Sequence, residues 1–137
     1  MSEQNKALVR RVFEGMNRGD VQVFDEVLSP EYKNHNMPMP VPGPEGMKQV
    51  IGMFRSGFPD FKVDLEQVLA DGDRVVSQGV WTGTHQGEFM GIPATGKPIS
   101  VGYIDIWRFV DGKAVENWVQ MDMVGMMQQL GVAPQQA

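Results

Sequence analysis

The residues with the most chemical potential in this chain lie in a hairpin toward its C-terminal end. Val101–Val110 and Lys113–Asp122 are strand-like runs joined by Asp111-Gly112, the favoured two-residue hairpin turn. A tight turn sets Val110 opposite Lys113, and the register then places Trp107 opposite Glu116, Asp105 opposite Trp118, Tyr103 opposite Gln120 and Val101 opposite Asp122. Side chains alternate between faces, so one face collects Tyr103, Asp105, Trp107, Glu116, Trp118, Gln120 and Asp122. The other collects Ile104, Ile106, Val115, Val119 and Met121. Carboxylates among indoles suit a pocket lining, which is mostly apolar with a few placed polar groups. The plainer alternative is a partly solvated polar face whose aromatics belong to the core, and a one-residue slip would exchange the two faces.

Asp122 is the carboxylate best placed for proton transfer in this register. It shares the Trp118 face, and Met121 and Met123 flank it. Apolar surroundings strip solvation from a carboxylate, raise its pKa and make it a better proton acceptor near neutral pH. Asp is equally a favoured helix cap, and Met123–Leu130 reads as a short helix directly after it, so catalyst and cap both stand. Asp105 projects from the same face but lies about 13 Å along the sheet from Asp122, too far for a shared proton. His35, between Asn34 and Asn36, and His85, ending Gly83-Thr84-His85, can each point into a cavity; their separation shows no metal-ligand spacing. Gly91-Ile92-Pro93-Ala94-Thr95-Gly96-Lys97 matches most of a phosphate-binding loop, but Pro98 follows where a Ser or Thr must hold magnesium.

Several elements must position these groups. Leu8, Val9, Val12, Phe13 and Met16 fall at helical spacing within Glu3–Asn17, and Gly19 and Asp20 separate that helix from a second, Val21–Leu28. Ser29-Pro30 stops the second helix. The stretch Glu31–Pro42 ends in Met37-Pro38-Met39-Pro40-Val41-Pro42, which excludes both helix and central strand. Gly43-Pro44 opens a third helix with Met47, Val50, Ile51 and Phe54 as its buried stripe. From Phe61 the period changes to two, giving a strand to Leu69 and another over Arg74–His85, the latter carrying Trp81. The loop Gln86–Pro98 brings Phe89, Met90 and Ile92 and suits a cover over a cavity mouth; the tail Val132–Ala137 is expected to fray. Helices first and antiparallel strands later predict an α+β fold with helices on one face of a curved sheet.

Composition bounds the function. The 137 residues suit one domain, 1–137, large enough to bury a core without staples, and there is no cysteine for disulfide or thiolate chemistry. A net charge of −5 without a basic cluster argues against nucleic acid as partner. No apolar run approaches the roughly 18–20 residues that span a bilayer, and Met1–Lys6 lacks a signal-peptide layout. The expectation is a cytoplasmic protein that does not enter a membrane. Eleven methionines suit an adaptable core or a pocket for an irregular ligand.

The chain resembles the SnoaL-like polyketide cyclases of the nuclear-transport-factor-like superfamily. The resemblance is carried by Asn5–Phe13, Pro42-Gly43-Pro44-Glu45-Gly46, Phe58-Pro59-Asp60, Gly83-Thr84-His85-Gln86-Gly87-Glu88-Phe89 and Gly91-Ile92-Pro93. It continues through Thr95-Gly96-Lys97, Arg108-Phe109, Asp111-Gly112-Lys113, Glu116-Asn117-Trp118, Asp122 and Gln129-Leu130-Gly131. Ala94 stands where family members often carry proline. The resemblance implies a cone-shaped, cystatin-like α+β fold: a curved, mostly antiparallel sheet and N-terminal helices enclosing an apolar pocket. It also implies association through the outer sheet face as a homodimer or higher homo-oligomer, a small hydrophobic or polyketide-like ligand, and no metal or organic cofactor. The position matching Asp122 is the acid–base residue of the characterised cyclases, which implies an intramolecular aldol-type ring closure by that residue. His35, Trp81, His85, Tyr103, Asp105, Trp118 and Gln120 follow as candidate substrate-binding residues from strand direction and loop position. Related isomerase, dehydratase or hydrolase chemistry in the same pocket, or ligand binding without catalysis, is the alternative. An epoxide hydrolase would want an Asp–Arg–Asp constellation, and Arg108 falls on the face away from Asp105 and Asp122.

Overall fold

Asp111 and Gly112 take φ of 50° and 78°, the pair of positive values a type I′ turn needs. In this computed structural model, which describes residues 2–132, that turn joins β4 (Pro98–Val110) to β5 (Lys113–Met121). Val110 faces Lys113 and Phe109 faces Ala114, as the turn dictates, but Arg108 then faces Glu116. Val115 is the extra residue of a β-bulge, so every later position of β5 is displaced by one. The register expected beyond that point is therefore corrected: Trp107 faces Asn117, Asp105 faces Val119 and Tyr103 faces Met121. Asn117, Val119 and Met121 share the inner face with Tyr103, Asp105 and Trp107, whereas Glu116, Trp118 and Gln120 share the outer face with Ile104 and Ile106.

The sheet is five-stranded and curved, in the order β1-β5-β4-β3-β2. Its antiparallel part comprises β2 (Lys62–Asp71), β3 (Arg74–Thr84), β4 and β5. At one edge β1 (Leu28–Asn34) runs parallel to β5. The sequence gives no expectation of a strand there because Pro30 removes a ladder donor. An edge strand tolerates that loss, and the pairing is irregular between Leu28 and Lys33, the interval that contains the proline. The second helix shortens accordingly to α2 (Val23–Val27).

The expected apolar stripes hold the helices to this sheet. α1 (Ser2–Arg18) buries Val9, Val12, Phe13 and Met16, and α3 (Gly43–Gly57) buries Met47, Val50, Ile51 and Phe54. Asn17 fixes α1 to β2 at both ends of its amide: Nδ2 donates to the Val63 carbonyl and Oδ1 accepts from the Val63 N–H, each at 2.8 Å. The proline-rich segment leans on α3 at Gly46, where a Cβ would stand 1.8 Å from the Val41 carbonyl oxygen, so only glycine fits. After β5 comes α4 (Met123–Leu130), stopped by Gly131 in the left-handed conformation. Residues 133–137 of the expected tail lie outside the described residues. Among the described residues no helix is long and apolar enough to cross a membrane. Phe54, Phe58, Phe61, Trp81 and Phe89 pack as one aromatic group, and Phe13, Tyr32, Tyr103 and Trp107 as another. The hollow described next draws its walls from both.

Candidate functional site

Alternation along β4 turns Tyr103, Asp105 and Trp107 inward, where they are 7%, 3% and 2% exposed. They line a small chamber of about 50 Å³ with Phe13, Asn34, Met47, Trp81 and Asn117. That volume holds one functional group, not a ring system. Met37, Phe54, Val119 and Met121 also wall a second, outer hollow of about 430 Å³, completed by Asn36, Met53, Phe89, Met90, Gln120 and Met123. The outer hollow falls in the size range of ligand sites. Unbranched methionines stand on both sides of the partition, and such side chains change rotamer to admit an irregular shape.

Asp105 is the sole carboxyl among the described residues lining the inner chamber. Burial pushes its pKa up to about 7, against the opposite pull of the Ser77 hydroxyl, which donates to Oδ1. The Trp107 indole N–H lies near enough to favour the carboxylate without completing a hydrogen bond. Tyr103 Oη sits beside Ser77, whose hydroxyl donates to Asp105, and makes no hydrogen bond of its own among the described residues. Burial first, and the Asp105 charge second, raise the Tyr103 phenol well above its ordinary pKa, so it remains a donor. Behind these groups Asn117 Oδ1 accepts from Tyr32 Oη at 3.2 Å and Asn34 Nδ2 at 3.3 Å, while its Nδ2 donates to the Ile106 carbonyl at 2.9 Å. A carboxyl poised near neutrality in an apolar chamber can take and return a proton.

The expected site residues are only partly brought together. Trp81, Tyr103 and Asp105 meet in the inner chamber, and Gln120 sits at the outer hollow. Trp118 lies instead on the outer sheet face, stacked on His35 with ring centroids 4.9 Å apart and covered by Arg74. His35 Nε2 meets Glu116 at 2.8 Å there, and Arg108 Nε meets the same carboxylate at 2.5 Å, so Arg108 indeed faces away from Asp105. Those contacts, His35 first, hold the Glu116 carboxyl below its usual pKa. His85 is fully buried but lines neither hollow. Its Nδ1 accepts from the Thr95 N–H at 3.2 Å, and its backbone pairs with Lys97 and Gly96, pinning the base of the loop that carries Phe89 and Met90 to the outer hollow.

Asp122 departs furthest from expectation. It is exposed, lines neither hollow, and caps α4 by accepting the Gly125 N–H on Oδ1 at 2.8 Å. The bulge at Val115 takes it off the inner face on which the unbulged register sets it. Asp122→Ala is expected to lower the unfolding free energy by about 1 kcal/mol, measured by urea titration, while Asp122→Asn, which keeps the acceptor, changes it little. Asn34, Asn117 and Met37 escape sequence reasoning. The signal for Asn117 is present in Glu116-Asn117-Trp118, but the unbulged register turns it outward.

A curved sheet closed by helices around an apolar hollow, with one buried carboxyl in its wall, defines a small-molecule pocket of the nuclear-transport-factor-like class. The description SnoaL-like polyketide cyclase matches residues 6–130, and the chain belongs to that family. It is 33% identical over 135 residues to the aklanonic acid methyl ester cyclase AcmA of Streptomyces galilaeus, covering 96% of this chain and 92% of that one. It is 29% identical over 127 residues to the nogalonic acid methyl ester cyclase of Streptomyces nogalater, covering 84% and 88%. Among solved structures, TsrD from Streptomyces laurentii superposes with a TM-score of 0.87 at 33% identity, over 94% of this chain and 96% of that one.

Proposed function

We propose that this protein closes a ring in a polyketide-like small molecule by an intramolecular aldol-type reaction, with Asp105 as the acid–base residue. The observation that carries the reading is the single buried carboxyl of the inner chamber, held near neutrality beneath a hollow large enough for a fused-ring ligand. The Asp105 carboxylate takes a proton from a carbon next to a carbonyl, and the electron pair moves onto that carbonyl oxygen. The enolate carbon bonds to a second carbonyl carbon of the same molecule, whose oxygen receives the proton back from Asp105. Conjugated carbonyls delocalise the enolate, so the chain's own groups suffice for each step. For an internal ring closure, orientation by the hollow contributes several kcal/mol. Asp122, the acid–base position that the resemblance implies, contributes to α4 instead.

The relatives named as methyl ester cyclases suggest the probe, a linear anthraquinone methyl ester with an activated methylene. In D2O the protein is expected to exchange that methylene's hydrogens faster than buffer at equal pH and to yield the ring-closed isomer. Exchange and closure at the buffer rate would remove the enzymatic reading and leave a binding protein.

A further inference from the structure

Three buried donors on residues lining the inner chamber have no hydrogen-bond partner among the described residues: Tyr103 Oη–H, Trp107 Nε1–H and Trp81 Nε1–H. Buried polar groups are almost always paired, and an orphan costs stability. They differ in setting: Trp81 stands on β3, its indole held T-shaped against Phe54 and Phe58, while the remaining orphans, His85 Nε2 and Arg55 Nε, belong to residues that line neither hollow. Tyr103 and Trp107 flank Asp105 on the same strand and face, and all three line one chamber with room for a single group. Two donors and one proton acceptor around so small a space match a carbonyl beside an acidic C–H.

We propose that Tyr103 Oη–H and Trp107 Nε1–H are the oxygen-binding wall of this chamber, holding the carbonyl oxygen of the ligand and the enolate oxygen that it becomes. The proposal rests on the acid–base reading above and names the ligand class at its reacting end: an enolisable ketone or ester carbonyl. Before transfer the negative charge sits on Asp105; after it, on the ligand oxygen while Asp105 holds the proton. Donors placed between the two positions stabilise the charge in both, which flattens the transfer between them.

The test compares 2-naphthol with naphthalene, probes that share a ring system and differ in one oxygen, by calorimetric or fluorescence titration. Wild type is expected to prefer 2-naphthol by about tenfold or more, and Tyr103→Phe to lose most of that preference while its naphthalene affinity stays within about twofold. Trp107→Phe is expected to reduce the preference likewise, with naphthalene affinity correcting for the smaller ring. Tyr103→Phe should also melt at the same or a higher temperature than wild type, because it deletes an unpaired buried hydroxyl. A structural tyrosine would show the opposite. Equal affinity of wild type for both probes, full preference retained in Tyr103→Phe, or a lowered melting temperature in that variant overturns the proposal, as does failure of both probes to bind at millimolar concentration. These readouts need no turnover. If the preference behaves as expected while Asp105→Asn still cyclises substrate, the acid–base reading falls and the oxygen-binding wall stands.

Discussion

Asp105→Asn is expected to lower single-turnover ring closure by roughly 10²–10⁴-fold, the usual contribution of a positioned acid–base group. Asparagine keeps the shape and can still accept from the Ser77 hydroxyl, so the chamber and the binding of substrate are preserved. What it loses is the ability to take a proton. The loss should therefore appear in the chemical step and leave substrate binding within a few-fold. Asp122→Asn is the control. That side chain is exposed and its acceptor role toward Gly125 survives the change, so ring closure should continue at the wild-type rate. The reverse result, an inactive Asp122→Asn and an active Asp105→Asn, would return the proton to the residue that the sequence resemblance implies.

That Asp122 leaves the inner face while Asp105 stays on it traces to one residue. The turn at Asp111-Gly112, the inward alternation of β4 and the apolar stripes of α1 and α3 all follow from pattern and turn chemistry, and all are observed. The bulge at Val115 is different, because no local signal marks it. In the unbulged register Val115, Val119 and Met121 line up with Ile104 and Ile106 as one aliphatic face, a tidy arrangement that sends Glu116 and Gln120 inward. Burial of an unpaired carboxylate is costly, and the bulge avoids it. Glu116 instead meets Arg108 and His35 outside, while Asn117 and Val119 turn inward. The deciding partner, His35, is far away in sequence, so a reading of the hairpin alone has no access to it. Pro30 hides β1 for a related reason: the ladder donor it removes matters in a central strand and little at an edge.

The ionisation of Asp105 on which the proposed proton transfer depends should also destabilise the fold, and the sign follows from where the proton is held. The unfolded carboxyl ionises near its ordinary 3.8, whereas the folded one holds its proton to about 7 because burial disfavours the charge. Between those values the folded state binds more protons than the unfolded, so stability is full below about pH 4 and falls as pH rises through about 7. The interval from 3.8 to about 7 corresponds to a loss on the order of 4 kcal/mol. Asp60, bonded by the Thr84 N–H and hydroxyl, and Glu116, bonded by His35 and Arg108, are held below their usual values and act in the opposite sense at acid pH. Both are common to wild type and Asp105→Asn, so the difference between the two proteins isolates Asp105. The stability of Asp105→Asn relative to wild type, from urea titrations between pH 4 and 8, is expected to climb over that window and level off. A difference that stays flat would mean that the carboxyl is hydrated in the folded protein. The rate should follow the same ionisation with opposite consequence: kcat/KM of wild type rises through about pH 7 as the base form appears, so the protein gains activity over the interval in which it gives up stability.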